Sequence, residues 1–521
     1  MYTGPRDKRV YRPPDPAKTG SRLKTKILLL EARMRYLILL FVTIMTCSPV
    51  CAAYAGAIKE ETFQRLDNIR EEKKKQLLEY LERISKNADL ITSDELMLEF
   101  FHIKRKYYRL KKSSPPPAEL KRLIDDLKNG VRRHYIRNYL SFYDILFVDR
   151  EGDIFHTIRR QSDYHKNIFE GKLAGTTLAQ QLRHHPNKTF VDYEYYSVSG
   201  EPSAFFVEPV LKNGRLAGWF ILQCSINNIN NMFTEETGLG ATGEAFLVNR
   251  QQYMLTESRF SKESSILNQH MSRKNIEAKF RERSGHKIVT DYRGFRALTS
   301  FEVCNIGGSE WLLIAKIDEA EVITEQYKKK RDALHNVMAS SLRKQKPQPC
   351  TAMRVESKVI EVDMDEFRKA DNREMICTYG VSTCTAIIVT FPGRFSYMGH
   401  MSNRDVAYGG HSTDLIRHIF KRIKTFDIYE YERRKLVVTV IANHLDSIVN
   451  IIDKLVEQGL LLSQIKFIYA DSEYGNVLHD YLNNRTLIEW EMDKENGRKL
   501  RQCTAGVKPV GAVVKDLIGY K

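Results

Sequence analysis

After residue 58 this sequence has no second long apolar run. Nothing downstream reaches the roughly 20 apolar residues a membrane-crossing helix needs, so nothing returns the chain across a bilayer. It also lacks paired cysteines. The 8 cysteines (Cys47, Cys51, Cys224, Cys304, Cys350, Cys377, Cys384 and Cys503) contain no CxxC and no zinc spacing. That excludes a zinc module and a dense disulfide scaffold, and leaves the redox compartment open. The formal charge is +17, but the Lys and Arg are spread out with no nucleic-acid motif beside them. No nucleic-acid partner is expected, and the excess charge reads as a solvated surface plus a basic N-terminus. His184-His185 has no carboxylate nearby at metal spacing, and His411, His418 and His444 read as surface or structural, so neither a metal nor a cofactor is expected.

One apparent motif is also discounted. Gly238, Gly240 and Gly243 spell GxGxxG. A dinucleotide site needs that turn after a strand and opening a helix. Here the glycines follow a helical pattern and precede a strand.

A chain of 521 residues is too long for a single core, and two or three domains are expected. Residues 1–35 carry ten Lys/Arg against three Asp/Glu, with several prolines, and read as disordered. Residues 36–58 are uncharged, with an apolar heart at Leu37–Met45. Two readings are open. Residues 34–55 form a signal peptide cut after Ala53-Tyr54-Ala55, or 36–58 form a single membrane anchor. Both keep the basic end in the cytoplasm and put the rest outside. The expected location is a single-pass inner membrane protein with extracytoplasmic domains, or a periplasmic or secreted protein.

From 59 to 330 the pattern is a long amphipathic helix followed by two helix-backed antiparallel sheets. Phe63, Leu66, Ile69, Leu77, Leu81 and Ile84 recur at helical spacing over Glu60–Asn87. Helices follow at Ser93–Lys112 and Ala118–Tyr139, either side of Ser113-Ser114-Pro115-Pro116-Pro117. Strands begin at Tyr143, and Lys212-Asn213-Gly214-Arg215 reads as a hairpin turn. A second set of strands runs from Glu244 to Ile317. This order, with Thr237-Gly238-Leu239-Gly240-Ala241-Thr242-Gly243-Glu244 and Glu310-Trp311-Leu312-Leu313-Ile314-Ala315-Lys316-Ile317-Asp318, resembles the double Cache sensor domain of bacterial chemoreceptors. The resemblance implies a small-molecule sensor with its pocket in the membrane-distal unit, roughly Tyr143–Ile226. The aromatic and acidic strand residues Asp192, Tyr193 and Tyr195 are the candidate ligand contacts there. The competing meaning of such a strand is sheet packing.

Residues 331–354 read as a linker and 355–521 as a third domain. Its deciding stretch is Cys377–His400. A thiol, Cys384, sits in a Gly/Ser/Thr turn after a strand ending at Thr378. A hairpin then leads to His400. A thiol becomes a nucleophile at neutral pH only beside a base, and the base needs a group to orient it. By spacing alone, a buried thiol and a satisfied histidine is the plainer meaning. The ordered Thr378, Cys384 and His400 resemble the CheD chemoreceptor glutamine deamidases. The glycine-rich turn has one glycine here, and Ile441-Ala442-Asn443-His444 stands where that family has Gly-Gly-Ala. The resemblance implies that Cys384 is the nucleophile, His400 its base and Thr378 the orienting residue. The expected fold class is therefore mixed α/β (α+β): a long N-terminal helix, two Cache (PAS-like) antiparallel-sheet modules and a CheD-like α/β sandwich. Two functions remain open. One is a sensor fused to a protein-glutamine deamidase. The other is a sensor whose C-terminal module only docks a protein partner. An exposed Cys384 close to the His400 ring favours the first, and a Cys384 turned into the core the second.

Overall fold

The computed structural model describes residues 56–520, apart from 185–186, 236–237, 346, 351–357, 382–383, 403–410, 427, 429, 443–444, 470–474, 491–499 and 505. All but the end of the expected anchor or signal segment, 36–58, lies outside the described residues. Among the described residues no helix is long and apolar enough to cross a membrane. The chain divides into two compact units. In the smaller, Met1–Lys59 with Lys515–Lys521, the Lys59 ammonium lies 5.0 Å from the centre of the Tyr520 ring. The larger, Glu60–Val514, contains all of the sheets that follow and most of the helical residues.

The first helix, α1, runs over residues 56–90 and buries Leu66, Leu77, Leu81 and Ile84 on one stripe, as the 3.6-residue spacing requires. Helices α2 (Glu95–Ser113) and α3 (Ala118–Asn138) follow, α2 capped by the Asp94 carboxylate on Met97 N–H at 3.1 Å. The first sheet contains β1 (Asp144–Asp149), β2 (Ile154–Thr157), β3 (Thr189–Tyr196), β4 (Glu201–Lys212) and β5 (Arg215–Ser225), in the order β2-β1-β5-β4-β3. Every residue of β1 is buried because both faces are covered. Phe100 and Phe101 of α2 pack edge-on against Phe147 and Phe220. On the other face Leu178, Ala179 and Leu182 of α4 (Thr177–His184) meet Leu146, Val148, Val191 and Trp219. The β4–β5 turn places Asn213 and Gly214 at φ 51° and 73°, the two left-handed residues a tight hairpin needs.

After α5 (Asn227–Thr234), a smaller sheet forms from β6 (Glu244–Val248), β7 (Ser284–Thr290), β8 (Arg296–Ile306) and β9 (Ser309–Asp318), in the order β6-β9-β8-β7. Helix α6 (Arg273–Glu282) covers one face of this sheet through Ile276 and Phe280. The segment after β6 meets it through an isolated bridge between Val248 and Met254. The GxGxxG loop holds an acid, but it is the chain's own. Glu321 accepts from the N–H groups of Ala241 and Thr242, both at 2.8 Å. Gly243 is required there, since a Cβ would stand 2.0 Å from Leu239 O.

Glu321 belongs to α7 (Glu319–Arg343), which kinks at Lys330 and buries Leu334, Met338 and Leu342 in its second half. Residues 331–343 of the expected linker are thus packed helix. Tyr327 OH donates to Asp453 at 2.7 Å, and Thr324 Oγ1 accepts from Leu462 N–H at 3.1 Å. A buried ion network crosses the same boundary. Lys316 pairs with Glu244 and Asp291, Arg293 with Asp291 and Asp318, and Arg434 with Asp318.

The C-terminal part is two sheets face to face. One contains β12 (Phe367–Ala370), β14 (Thr385–Phe391), β15 (Phe395–Met401), β16 (Val437–Ala442) and β17 (Ile465–Tyr469), in the order β12-β15-β14-β16-β17. The other contains β10 (Gln348–Pro349), β11 (Val359–Glu361), β13 (Met375–Thr378), β18 (Gly475–Asp480), β19 (Arg485–Trp490) and β20 (Leu500–Cys503). Ile388, Met398 and Ile441 of the first sheet meet Ile376, Val477 and Ile488 of the second in one core. Helices α8 (His411–Lys424) and α9 (Leu445–Glu457) belong to the first sheet, and α8 approaches so closely that a Cβ at Gly399 would sit 2.6 Å from Leu415. A disulfide joins Cys350 to Cys503. Helix α10 (Val510–Leu517) follows β20. Gly511 lets α10 lie on the backbone of Leu462 and Ser463.

Candidate functional site

The sandwich brings two of the three sequence-selected polar residues into direct contact. Thr378 ends β13 in one sheet, and His400 lies in β15 of the other. Both are buried. Thr378 Oγ1 donates to Val362 O at 2.7 Å. A hydroxyl has one proton, so its 2.8 Å contact with His400 Nδ1 has the ring nitrogen as donor. That assigns the proton to Nδ1 and the lone pair to Nε2. Nε2 is buried and has no hydrogen-bond partner among the described residues. Burial holds the His400 pKa below the usual imidazole value, against the opposing pull of Asp365 and Asp363. The ring is neutral at pH 7, with its basic nitrogen unengaged.

Cys384 stands one residue before β14. The β14–β15 register pairs Ala386 with His400 and Thr385 with Met401, so Cys384 is diagonal to His400 at the end of the ladder. Its exposure is only 6%. Cys377 is buried too, its thiol pushed up by burial against a hydrogen bond from Tyr379.

A second histidine, missed in the sequence, shows what a structural role looks like here. His479 Nδ1 contacts Thr486 Oγ1 at 2.9 Å. Its Nε2 contacts Thr390 Oγ1 at 2.9 Å and Ser396 Oγ at 3.0 Å. Both nitrogens are occupied, and burial lowers its pKa to about 4. A lone His in an alternating strand gives no warning of partners drawn from three strands.

The three candidates on β3 separate. Asp192 accepts from Trp311 Nε1 at 2.9 Å and from Tyr193 N–H at 2.7 Å, and burial raises its pKa. It borders a cleft of about 510 Å³ between the two Cache-like sheets, with Thr177, Gln181, Arg250, Asn305 and Glu310. Tyr193 is buried, with OH 3.4 Å from Ser225 O, and Tyr195 is 63% exposed. The bulge between Val191 and Glu194 breaks the alternation that would have aligned them. The face of the first sheet that meets α4 is filled by its own apolar cluster. Trp311, whose indole fixes Asp192, stood out in the sequence only as part of a strand. Among the described residues no group of three or more His, Cys, Asp or Glu side chains is placed to hold a metal ion.

A protein-family profile described as "Cache domain" matches residues 55–326. No curated protein matches the chain. Among solved structures, an extracellular ligand binding receptor from Desulfohalobium retbaense aligns at 12% identity and TM-score 0.32, over 48% of this chain and 39% of that one. The chain thus spans well under half of that receptor. The periplasmic sensory domain of the Campylobacter jejuni chemoreceptor Tlp1 aligns at 10% identity and TM-score 0.37, over 51% of this chain and 98% of that one. The ligand-binding domain of the Pseudomonas aeruginosa chemoreceptor PctC, in complex with GABA, gives 14%, 0.34, 49% and 100%.

Proposed function

We propose, because this chain belongs to the Cache domain family, that it works as an extracytoplasmic small-molecule sensor carrying a CheD-like cysteine protein-glutamine deamidase at its C-terminus. An exported location is supported by the basic-then-apolar N-terminal sequence and by the Cys350–Cys503 disulfide, which favours an oxidising compartment. In this reading the sensor comprises residues 59–330, and Asp192 faces the ligand across its cleft. Tyr193 and Tyr195 act in packing and at the surface.

The observation that carries the enzyme reading is the buried, unengaged Nε2 of His400, whose tautomer is fixed by Thr378. Nε2 takes the Cys384 proton, and the thiolate attacks the amide carbon of a glutamine side chain. Backbone N–H groups of the turn stabilise the oxyanion. The C–N bond breaks and ammonia leaves with the proton from His400. Water, deprotonated by the same nitrogen, cleaves the thioester and yields glutamate and the free thiol. The target protein gains one negative charge, which is a local electrostatic switch.

The test is intact-mass analysis of glutamine-containing proteins incubated with the full chain under reducing conditions. Deamidation expects the mass of one amide-to-acid exchange per site, absent with Cys384→Ala. The 6% exposure of Cys384 favours a second reading, a docking module without turnover. No exchange on any substrate by the folded full chain selects that second reading.

A further inference from the structure

The turn that holds His400 carries a charge of its own. It runs Glu361-Val362-Asp363-Met364-Asp365-Glu366, with no Lys or Arg, in a chain whose formal charge is +17. Its backbone ties the two sheets together at the Thr378–His400 contact. Val362 N–H donates to Cys377 O at 2.9 Å, and Val362 O accepts from Thr378 Oγ1. Asp365 N–H donates to His400 O at 2.7 Å, and His400 N–H donates to Glu366 O at 3.1 Å. Glu366 N–H closes the turn on Asp363 O at 3.2 Å, with Asp365 at φ 60°. Of these six residues only Val362 is buried; Glu361 and Asp363 on either side of it are exposed.

The four carboxylates are not alike. Glu366 pairs with Arg368 at 2.7 Å, and Asp365 accepts from Ser402 N–H at 2.9 Å. The side chains of Glu361 and Asp363 make no ion pair or hydrogen bond among the described residues. Glu361 is in register with Cys377 and near enough to Tyr379 to act on its hydroxyl, and Asp363 is near enough to His400 to act on its ring. Two large apolar side chains stand out beside them. Met364, which bridges to His400, is 56% exposed, and Tyr379, which follows Thr378, is 54% exposed. The same turn fixes the ring whose buried Nε2 has no hydrogen-bond partner among the described residues. The unpaired carboxylates and the unengaged base therefore border one site. Carboxylates without a counter-charge beside an aromatic ring suit a lysine or arginine, which gains an ion pair and a cation–π contact.

We propose, resting on the deamidase reading of Cys384 and His400, that this surface selects glutamines with a lysine or arginine beside them in the substrate protein. The substrate's cation meets the Glu361 and Asp363 carboxylates and the Tyr379 ring, and an apolar neighbour covers Met364. The partner is a basic, glutamine-bearing protein segment. An acidic segment is repelled by the same rim, which makes the surface selective as well as attractive. The glutamate formed in the reaction carries a charge of the rim's own sign, and that favours its release.

The test uses synthetic peptides with a single glutamine flanked by Lys, Ala or Glu, incubated with the full chain under reducing conditions and followed by mass. Exchange should be fastest on the Lys-flanked peptide, with kcat/KM about fivefold or more above the Glu-flanked one, the scale of two exposed ion pairs and a cation–π contact. Glu361→Lys combined with Asp363→Lys should invert that order. Both side chains are exposed, so the variant should fold; if it does not, Glu361→Gln combined with Asp363→Asn decides, and should abolish the order. Binding of the same peptides to the Cys384→Ala chain, read by fluorescence anisotropy, separates the two ways of failing. Exchange without charge preference, or a preference unchanged in the variants, overturns the proposal and leaves the deamidase reading standing. Lys-preferring binding with no exchange on any peptide supports recognition of a basic segment and removes the deamidase reading. Neither exchange nor Lys-preferring binding overturns both.

Discussion

Two buried histidines in one sandwich show how partners set a residue's role. His479 satisfies both nitrogens with Thr486, Thr390 and Ser396, and charging it would break that arrangement. Its pKa falls from 6.5 to about 4 on folding, so the unfolded chain binds more protons in that interval. The sign follows: its contribution is complete above pH 6.5 and is lost as pH falls toward 4, by roughly 3 kcal/mol at most. Denaturant titrations of the full chain between pH 7 and 4 should show this loss, and His479→Gln should flatten that part of the slope. The Thr, Cys and His order was legible in the sequence, because a strand, a turn and a hairpin can be read from Gly380, Pro392 and Gly393. The hydroxyl's donation to Val362 O was not, since it joins residues sixteen apart, one in a strand and one in a connecting segment.

Among the elements, α7 does the most to connect the chain. Its first turn closes the glycine loop through Glu321, its middle meets Asp453 and Leu462 through Tyr327 and Thr324, and its end buries Leu342. The sequence reads as a linker over residues 331–354. It did not show that the charged residues were caps and ties rather than solvated surface. Glu321→Gln keeps the shape but leaves one of two buried N–H groups facing an amide. The expected cost is about 1–2 kcal/mol in denaturant titration. The Ala241 and Thr242 amides should lose hydrogen-exchange protection first. A global loss with no local signature at that loop would count against this role for Glu321.

Across the whole molecule, the elements with strong periodicity were readable. They include the 56–90 helix and the 212–215 turn. What escaped were features assembled from distant segments: the Cys350–Cys503 bridge, the Asp192–Trp311 contact and the ion network ending at Arg434. Each pairs residues more than 100 positions apart, and no local pattern encodes such a pairing. The chain combines a Cache domain with a sandwich in which a threonine presets a histidine's tautomer. The most direct measurement on that centre needs no substrate: the pH dependence of Cys384 alkylation by iodoacetamide, followed by peptide mass analysis. For the wild type, the rate should reach its plateau well below the ordinary thiol range near pH ~8.5. His400→Gln should return the midpoint to that range, and Thr378→Val should move it partway. If all three proteins titrate together at the ordinary thiol value, His400 is not the base for Cys384 and the deamidase reading falls.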